Sequence, residues 1–294
     1  MNPQGTITAA FGRHYEIELD DGRLVTGYPR GKKSPHACGD RVELTLNGLD
    51  QGQIVDHLPR QSLLYRSDAW KQKMIAANAT QIILVVATEP AFYDDLLSRA
   101  LAAAEHENLR TLIILNKCDL AERVPAAREM LAPFTALGYP ILELSARDAA
   151  TAAAQLRPRL QGQVSVLVGQ SGMGKSTLIN ALLPEAKAAT REISAALDSG
   201  KHTTTHARLY RLDAESAIID SPGLQEFGLA HLSLGEIEHA FLEMRPYLGQ
   251  CRFRDCRHEN EPDCAIKTAV ADGRISPRRL AHFLGLLTPT RSAS

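Results

Sequence analysis

Residues Gly169-Gln170-Ser171-Gly172-Met173-Gly174-Lys175-Ser176 have the spacing of a phosphate-binding loop, with two glycines five apart followed by Lys and Ser. Such a loop works where it leaves a strand and opens a helix, because backbone N–H groups then converge on one anion and the helix dipole favours it. The apolar run at 164–168 and the helical pattern near 176–183 supply that context. The amides of 172–175 then cradle phosphates, and Lys175 reaches the β- and γ-phosphates and steadies the charge that moves during transfer. Ser176 ligates Mg²⁺ and Thr177 extends the loop.

A phosphate loop does not distinguish adenine from guanine, but Asn116-Lys117-Cys118-Asp119 does. A carboxylate at Asp119 accepts two hydrogen bonds from the guanine N1–H and exocyclic amine, where adenine offers a mismatched edge. Asn116 buttresses the loop, and Lys117 lays its aliphatic stem over the base. Ser145-Ala146, after the next apolar run, offers a backbone amide toward the guanine O6. Asp220-Ser221-Pro222-Gly223 places a carboxylate near Mg²⁺ and the Gly223 amide near the γ-phosphate. His202-Thr203-Thr204-Thr205 falls where the first switch belongs, and Thr204 or Thr205 completes the Mg²⁺ shell. Leu224 stands where many GTPases carry the glutamine that orients water, so slow intrinsic hydrolysis is expected. His202 is the nearest candidate to position water, the alternative being a loop histidine with no chemical task.

The order of these motifs is rotated. In an ordinary GTPase the phosphate loop opens the domain and the base-reading motif comes near its end; here the base-reading motif comes first. The helix at 151–160, which would close an ordinary domain, instead feeds the opening strand. The old ends are joined, and new ends are cut just after Gly223.

A second constellation is Cys251-x4-Cys256-x-His258-x5-Cys264. Three thiolates and an imidazole can close a tetrahedral Zn²⁺ shell with no open position for water, which is a structural rather than catalytic arrangement. Reduced cysteines packed as small hydrophobes are the alternative. The five cysteines are an odd number, and the clustering of three of them favours a metal over disulfides. His231, His239 and His282 lie outside this spacing and read as ordinary surface or core histidines.

The elements that must position these residues fall into three segments. Residues 1–60 alternate apolar and polar over about five short strands split by turn signals, which predicts a small barrel of the oligonucleotide-binding type, although an SH3-like barrel reads much the same. Residues 62–229 alternate buried strand runs with helical stretches and predict a parallel α/β sheet carrying the permuted nucleotide site. Strands are placed at 81–87, 111–115, 140–144, 164–168, 207–212 and 216–219, with helices near 93–107, 126–137, 149–159 and 176–183. Residues 230–294 predict helices at 234–247 and 277–287 around the cysteine cluster, and so thin a segment gains from a structural metal.

The 294 residues are 44% hydrophobic and 23% charged, ordinary for a multidomain globular chain. No apolar run is long enough to span a bilayer and the first residues lack signal-peptide character, so a cytoplasmic location with no membrane partner is expected. The net charge of −1 argues against a wholly basic nucleic-acid binder. It leaves room for local patches, at Arg30-Gly31-Lys32-Lys33 and over 245–294, where nine Lys/Arg face five Asp/Glu.

With its rotated motif order, small barrel and Cys-Cys-His-Cys cluster, the chain resembles the ribosome small-subunit-dependent GTPase A family, RsgA or YjeQ. The resemblance implies a GTP hydrolase that binds the 30S subunit late in its maturation and touches 16S rRNA through the barrel and zinc domains. It also implies hydrolysis stimulated by the subunit, a catalytic role for His202, one Zn²⁺, and Mg²⁺ bound with GTP. A monomer suits docking on such a particle. The residues also allow a GTP-regulated module whose barrel and zinc domain bind proteins, with hydrolysis incidental. A metal-delivery GTPase fits a closed four-ligand site poorly, and Asp119 opposes an ATP-dependent kinase. Because the zinc segment follows Gly223 directly, nucleotide state is expected to set the angle between the two flanking lobes.

Overall fold

The computed structural model describes residues 2–31, 36–67, 72–184, 207–221, 229 and 231–287. His202, Thr204, Thr205, Gly223, Leu224, Lys32 and Lys33 lie outside these described residues.

Period-two alternation builds the first lobe. Strands β1 (Gln4–Ala10), β2 (Tyr15–Leu19), β3 (Leu24–Tyr28), β4 (Arg41–Leu46) and β5 (Gln51–His57) turn Ile7, Tyr15, Ile17, Val25, Leu44 and Ile54 into one separate core. They run β1-β2-β3-β5-β4 and close through β1–β4, with β3 and β5 parallel. That Greek-key return decides for the oligonucleotide-binding type of barrel over the SH3-like one. At one end the buried Asp40 carboxylate accepts from Arg60 at 2.7 Å through both oxygens and from the Ala37 amide at 2.7 Å.

A hairpin that has no counterpart in the predicted strands follows, β6 (Leu63–Ser67) and β7 (Gln72–Ala77), paired antiparallel. It is tied to the barrel by the Ala77 N–H donating to the Cys38 carbonyl at 2.9 Å.

The central sheet runs β10 (Ile141–Glu143), β9 (Arg110–Asn116), β8 (Gln81–Ala87), β11 (Val164–Val168), β13 (Ala217–Asp220) and β12 (Arg208–Arg211). All are parallel neighbours except antiparallel β12. Every residue of β8 is buried, as expected for a strand covered on both faces by helices. The helices are α1 (Asp94–His106), α2 (Val124–Ala136), α3 (Ala149–Leu160) and α4 (Lys175–Leu182). The predicted strands and helices of this segment are all present, with ends shifted by a residue or two. One ladder pair, Ala9↔Arg208, joins β12 to β1 and fuses barrel and central strands into an 11-stranded sheet.

The C-terminal region holds α5 (Leu234–Ala240), α6 (Ala265–Ala271) and α7 (Pro277–Leu287). Ser233 and Glu236 form a capping box that starts α5. The single helix predicted over 234–247 is two elements: the chain is extended at Phe241, whose ring is fully buried, and resumes as a 3₁₀ turn over Leu242–Tyr247 that contains Pro246. Helix α6 is also additional to the predicted pair. Among the described residues no helix is long and apolar enough to cross a membrane.

Candidate nucleotide site and metal centre

Parallel strands leave their C-terminal ends on one rim, and every described nucleotide motif sits there. Asn116 ends β9, Asp220 ends β13, Ser145 lies just beyond β10, and Gly169 follows β11 directly. Such a rim is where open α/β sheets bind ligands. A side chain on Gly169 would put its Cβ 2.3 Å from the Val85 carbonyl, so the loop can leave the sheet this closely only as glycine.

The rotated motifs converge through Asn116, which is 1% exposed. Its amide nitrogen donates to the Met173 carbonyl at 2.9 Å, and its Oδ1 accepts from the Ala146 N–H at 2.9 Å. One buried side chain thus ties the 116–119 loop to the 169–176 loop and to Ser145-Ala146. The Ala146 amide, expected to face a guanine O6, here serves Asn116. Gly174 is left-handed (φ 94°) at the start of α4, and a Cβ there would lie 2.2 Å from the Asn116 amide nitrogen. That glycine lets the two loops touch.

Asp119 accepts from Ser145 Oγ at 2.7 Å and from Arg147 at 3.0 Å. The Ser145 hydrogen bond is the main reason its carboxyl is held below the ordinary carboxylate value. The carboxylate is therefore favoured in its ionised form, with Ser145 on one oxygen and Arg147 on the other. Lys117 is left-handed (φ 62°), and its carbonyl is held by Thr88 Oγ1 at 2.9 Å.

On the phosphate side, Lys175 Nζ donates to the carbonyls of Gly169 at 2.6 Å and Gln170 at 3.0 Å. Ser171, Gly172, Ser176 and Thr177 are exposed on the same loop and the first turn of α4. Asp220 is 7% exposed, and burial pushes its pKa up to about 6 against the pull of the Lys175 charge. Burial likewise lowers Lys175, opposed by Asp220. In each, burial disfavours the charged form and the partner's opposite charge partly offsets it. Ser221 Oγ donates to the Leu167 carbonyl at 2.9 Å and locks the strand end that carries Asp220.

The second centre is equally compact. The ligand atoms of Cys251, Cys256, His258 and Cys264 all lie within 4.8 Å of one another. His258 Nδ1 is 3.6, 3.5 and 3.3 Å from the sulfurs of Cys251, Cys256 and Cys264, and the Cys251 and Cys264 sulfurs are 3.8 Å apart. Tetrahedral Zn²⁺ with bonds of about 2.3 Å to sulfur and about 2.0 Å to nitrogen requires edges of roughly 3.5–3.8 Å, so the donor set fits that ion. His258 takes a left-handed backbone (φ 66°), and its Nε2 lies 3.0 Å from Glu238 Oε1 on α5. A carboxylate behind a ligating histidine fixes the ring and its tautomer.

Sequence reasoning missed Glu238, Thr88 and Arg147. Glu238 stands 20 residues before its histidine with no motif spacing, and Thr88 lies in a loop that no pattern singles out. Arg147 is adjacent to Ser145-Ala146 and was within reach. Of the three other histidines, His282 is not a ligand: it contacts Ser98 Oγ at 2.8 Å in the packing of α7 on α1.

This geometry agrees with sequence comparison: the profile of the RsgA GTPase family matches residues 57–230. The chain belongs to the RsgA GTPase family. It is similar to the "Small ribosomal subunit biogenesis GTPase RsgA" of Burkholderia pseudomallei, 56% identical over 286 residues, 97% of this chain and 91% of that one. The protein of the same name from Ralstonia pickettii is 52% identical over 288 residues, 96% of this chain and 91% of that one. Among solved structures, YjeQ from Thermotoga maritima superimposes with TM-score 0.71 at 29% identity, covering 98% of this chain and 99% of that one. YloQ, described as a circularly permuted GTPase, shares the fold with TM-score 0.69 at 24% identity, covering 98% and 94%. RsgA membership makes the chain a hydrolase acting on GTP and agrees with the rotated motif order.

Proposed function

We propose that this GTPase binds the small (30S) ribosomal subunit, acts late in its maturation, and hydrolyses GTP slowly alone and faster on the subunit. The observation that carries the reading is the Asn116 bridge, which draws the base-reading motif, Ser145-Ala146 and the phosphate loop together in their rotated order. The name borne by its relatives supports the ribosomal setting.

In this reading Asp119 selects guanine, Lys117 and Ala146 line the base, and the loop from Gly169 to Thr177 holds the phosphates. Lys175 leaves its loop carbonyls for the β- and γ-phosphates, and the Gly223 amide meets the γ-phosphate. Ser176, Asp220 and Thr204 or Thr205 hold Mg²⁺. His202 positions the attacking water, since Leu224 cannot. Mg²⁺, when bound, screens phosphate charge and favours the ionised form of Asp220. Cys251, Cys256, His258 and Cys264 hold one structural Zn²⁺. Three domains, 1–60, 62–229 and 230–294, divide the work, with the outer two touching 16S rRNA. The protein acts as a cytoplasmic monomer.

The test is GTP turnover by the zinc-loaded protein alone, with small subunits, and with large subunits, using Lys175→Ala as the control. Stimulation by small subunits alone is the expected outcome. Equal rates in all three conditions would leave a GTP-regulated protein-binding module instead.

A further inference from the structure

The segment between β8 and α1 touches both halves of the nucleotide site. The Thr88 N–H donates to the Asn116 carbonyl at 3.1 Å, and Thr88 Oγ1 donates to the Lys117 carbonyl at 2.9 Å. Five residues on, the Tyr93 N–H donates to Gln170 Oε1 at 3.0 Å, beside the carbonyls that hold Lys175. Pro90 lies under Gly172, where a Cβ would meet its ring at 3.6 Å. This loop therefore contacts the base-reading loop at one end and the phosphate loop at the other.

The same segment runs straight into α1, whose first turn is gripped by the C-terminal helix. Arg278 pairs with Asp94 through both carboxylate oxygens. Arg279 donates to Ser98 Oγ at 2.7 Å and pairs with Glu243 at 2.6 Å. Ser98 Oγ donates to the Asp94 carbonyl at 2.9 Å and contacts His282 Nδ1 at 2.8 Å. Asp94, Ser98 and Arg279 are all buried. Three side chains of α7 thus hold one turn of α1, and that turn begins where the loop releases Gln170.

We infer that α1 is a positioning element for the nucleotide site, with Asp94, Ser98, Arg278 and Arg279 as positioning residues that set nucleotide retention from the seat of α7. The inference rests on the reading that 116–119 and 169–176 hold guanine nucleotide. It gives the C-terminal lobe a route to the pocket that does not pass through the segment after Asp220. Anything that shifts α7 moves the first turn of α1, and with it the contacts to Gln170, Asn116 and Lys117. A coupling of this kind changes how tightly nucleotide is held in both directions.

The experiment is release of a fluorescent GDP analogue from the full-length, zinc-loaded protein, measured with zinc content and melting temperature. Arg278→Asp and Asp94→Arg should each speed release about fivefold or more, and the double charge swap should return it to within about twofold of the parent. Arg278 is largely exposed, so Arg278→Ala gives a folded comparison and should also speed release. Gln170→Ala should speed release at the receiving end, and adding Arg278→Asp to it should add little. Release rates unchanged while melting temperature falls, or fully additive effects with Gln170→Ala, would overturn the coupling. Guanine binding that persists in Lys175→Ala and Asp119→Asn would overturn the site assignment itself, and the coupling with it.

Discussion

The two lobes that flank the GTPase sheet are attached by opposite means. The barrel joins through the ladder pair Ala9↔Arg208, through backbone contacts of Cys38 and Gly39 with Ala77 and Asn78, and through two half-exposed ion pairs, Arg208–Glu16 at 3.2 Å and Arg211–Glu18 at 3.0 Å. A cleft lined by Thr8, Leu24, Leu183 and Tyr210 opens beside them. The C-terminal region instead plants Arg279, 2% exposed, between the rings of Phe241 and Phe134 at 4.5 and 5.3 Å, paired to Glu243 and bonded to Ser98. Backbone pairs and half-exposed ions hold the barrel, whereas a desolvated cation with every partner in place resists displacement at the other lobe. The C-terminal region is therefore held to the GTPase body by a buried charge network, and the barrel mainly by backbone pairs and half-exposed side chains.

The largest effect should come from removing the proposed structural zinc. Replacing Cys264 by Ser, or stripping zinc with a chelator, should unfold the loop between Gln250 and α6, because binding free energy for structural zinc is folding free energy of about 10 kcal/mol or more. Hydrogen exchange should rise across 250–287 and α1 while the barrel core stays protected. Equal loosening of the barrel would erase the contrast between the two attachments. Next in size, Arg279→Met should cost about 3–5 kcal/mol in urea unfolding, since it strands the Glu243 carboxylate in the interior. Adding Glu243→Leu should recover much of that loss, and failure to do so would move the cost from the ion pair to the packing of the two rings.

The nucleotide loops were legible in sequence because each is a short local pattern whose spacing is its chemistry. The barrel strands were legible because alternation is local as well, and their closure order then told the oligonucleotide-binding type from the SH3-like one. What could not be read is what joins distant segments. Asn116 and Met173 are 57 residues apart, Ser98 and Arg279 181 apart, and neither pair leaves a periodic trace. Glu238 reads as one more polar residue on an amphipathic helix until His258 folds beside it. Helix α6 and the hairpin of β6 and β7 are short elements whose stability comes from what they pack on, which local propensity does not encode.

Acid should separate the lobes by a different lever. His36, in the barrel, is buried against Tyr15 and His57, and its Nδ1 has no hydrogen-bond partner. Burial is the main cause that holds its pKa below the ordinary value of about 6.5, with the Asp40 charge opposing. The folded state therefore keeps His36 neutral while the unfolded chain takes up a proton more readily. That contribution to stability is intact above about pH 6.5 and is lost as pH falls toward the lower folded value. Melting temperature should fall between pH 7.5 and 5.5, and His36→Gln should flatten that slope. A slope that persists unchanged in His36→Gln would assign the acid sensitivity elsewhere.

The smallest effect should be the most informative about the barrel's attachment. Arg208→Ala removes the Glu16 ion pair, and half-exposed pairs of this kind contribute about 0–1 kcal/mol, so melting temperature should barely move. The angle of the barrel is the sharper readout, because the remaining ties are backbone contacts at Ala9, Cys38 and Gly39. Arg208 also faces Asp220 across the ladder from β12 to β13, so one transverse row runs from Ala9 in the barrel through Arg208 to the buried carboxylate. Small-angle scattering of Arg208→Ala with Glu18→Gln should show a broader distribution of barrel positions at nearly unchanged stability. A large loss of stability with no change in shape would mean that the barrel is fixed as firmly as the C-terminal region, and the contrast between the two attachments would fail.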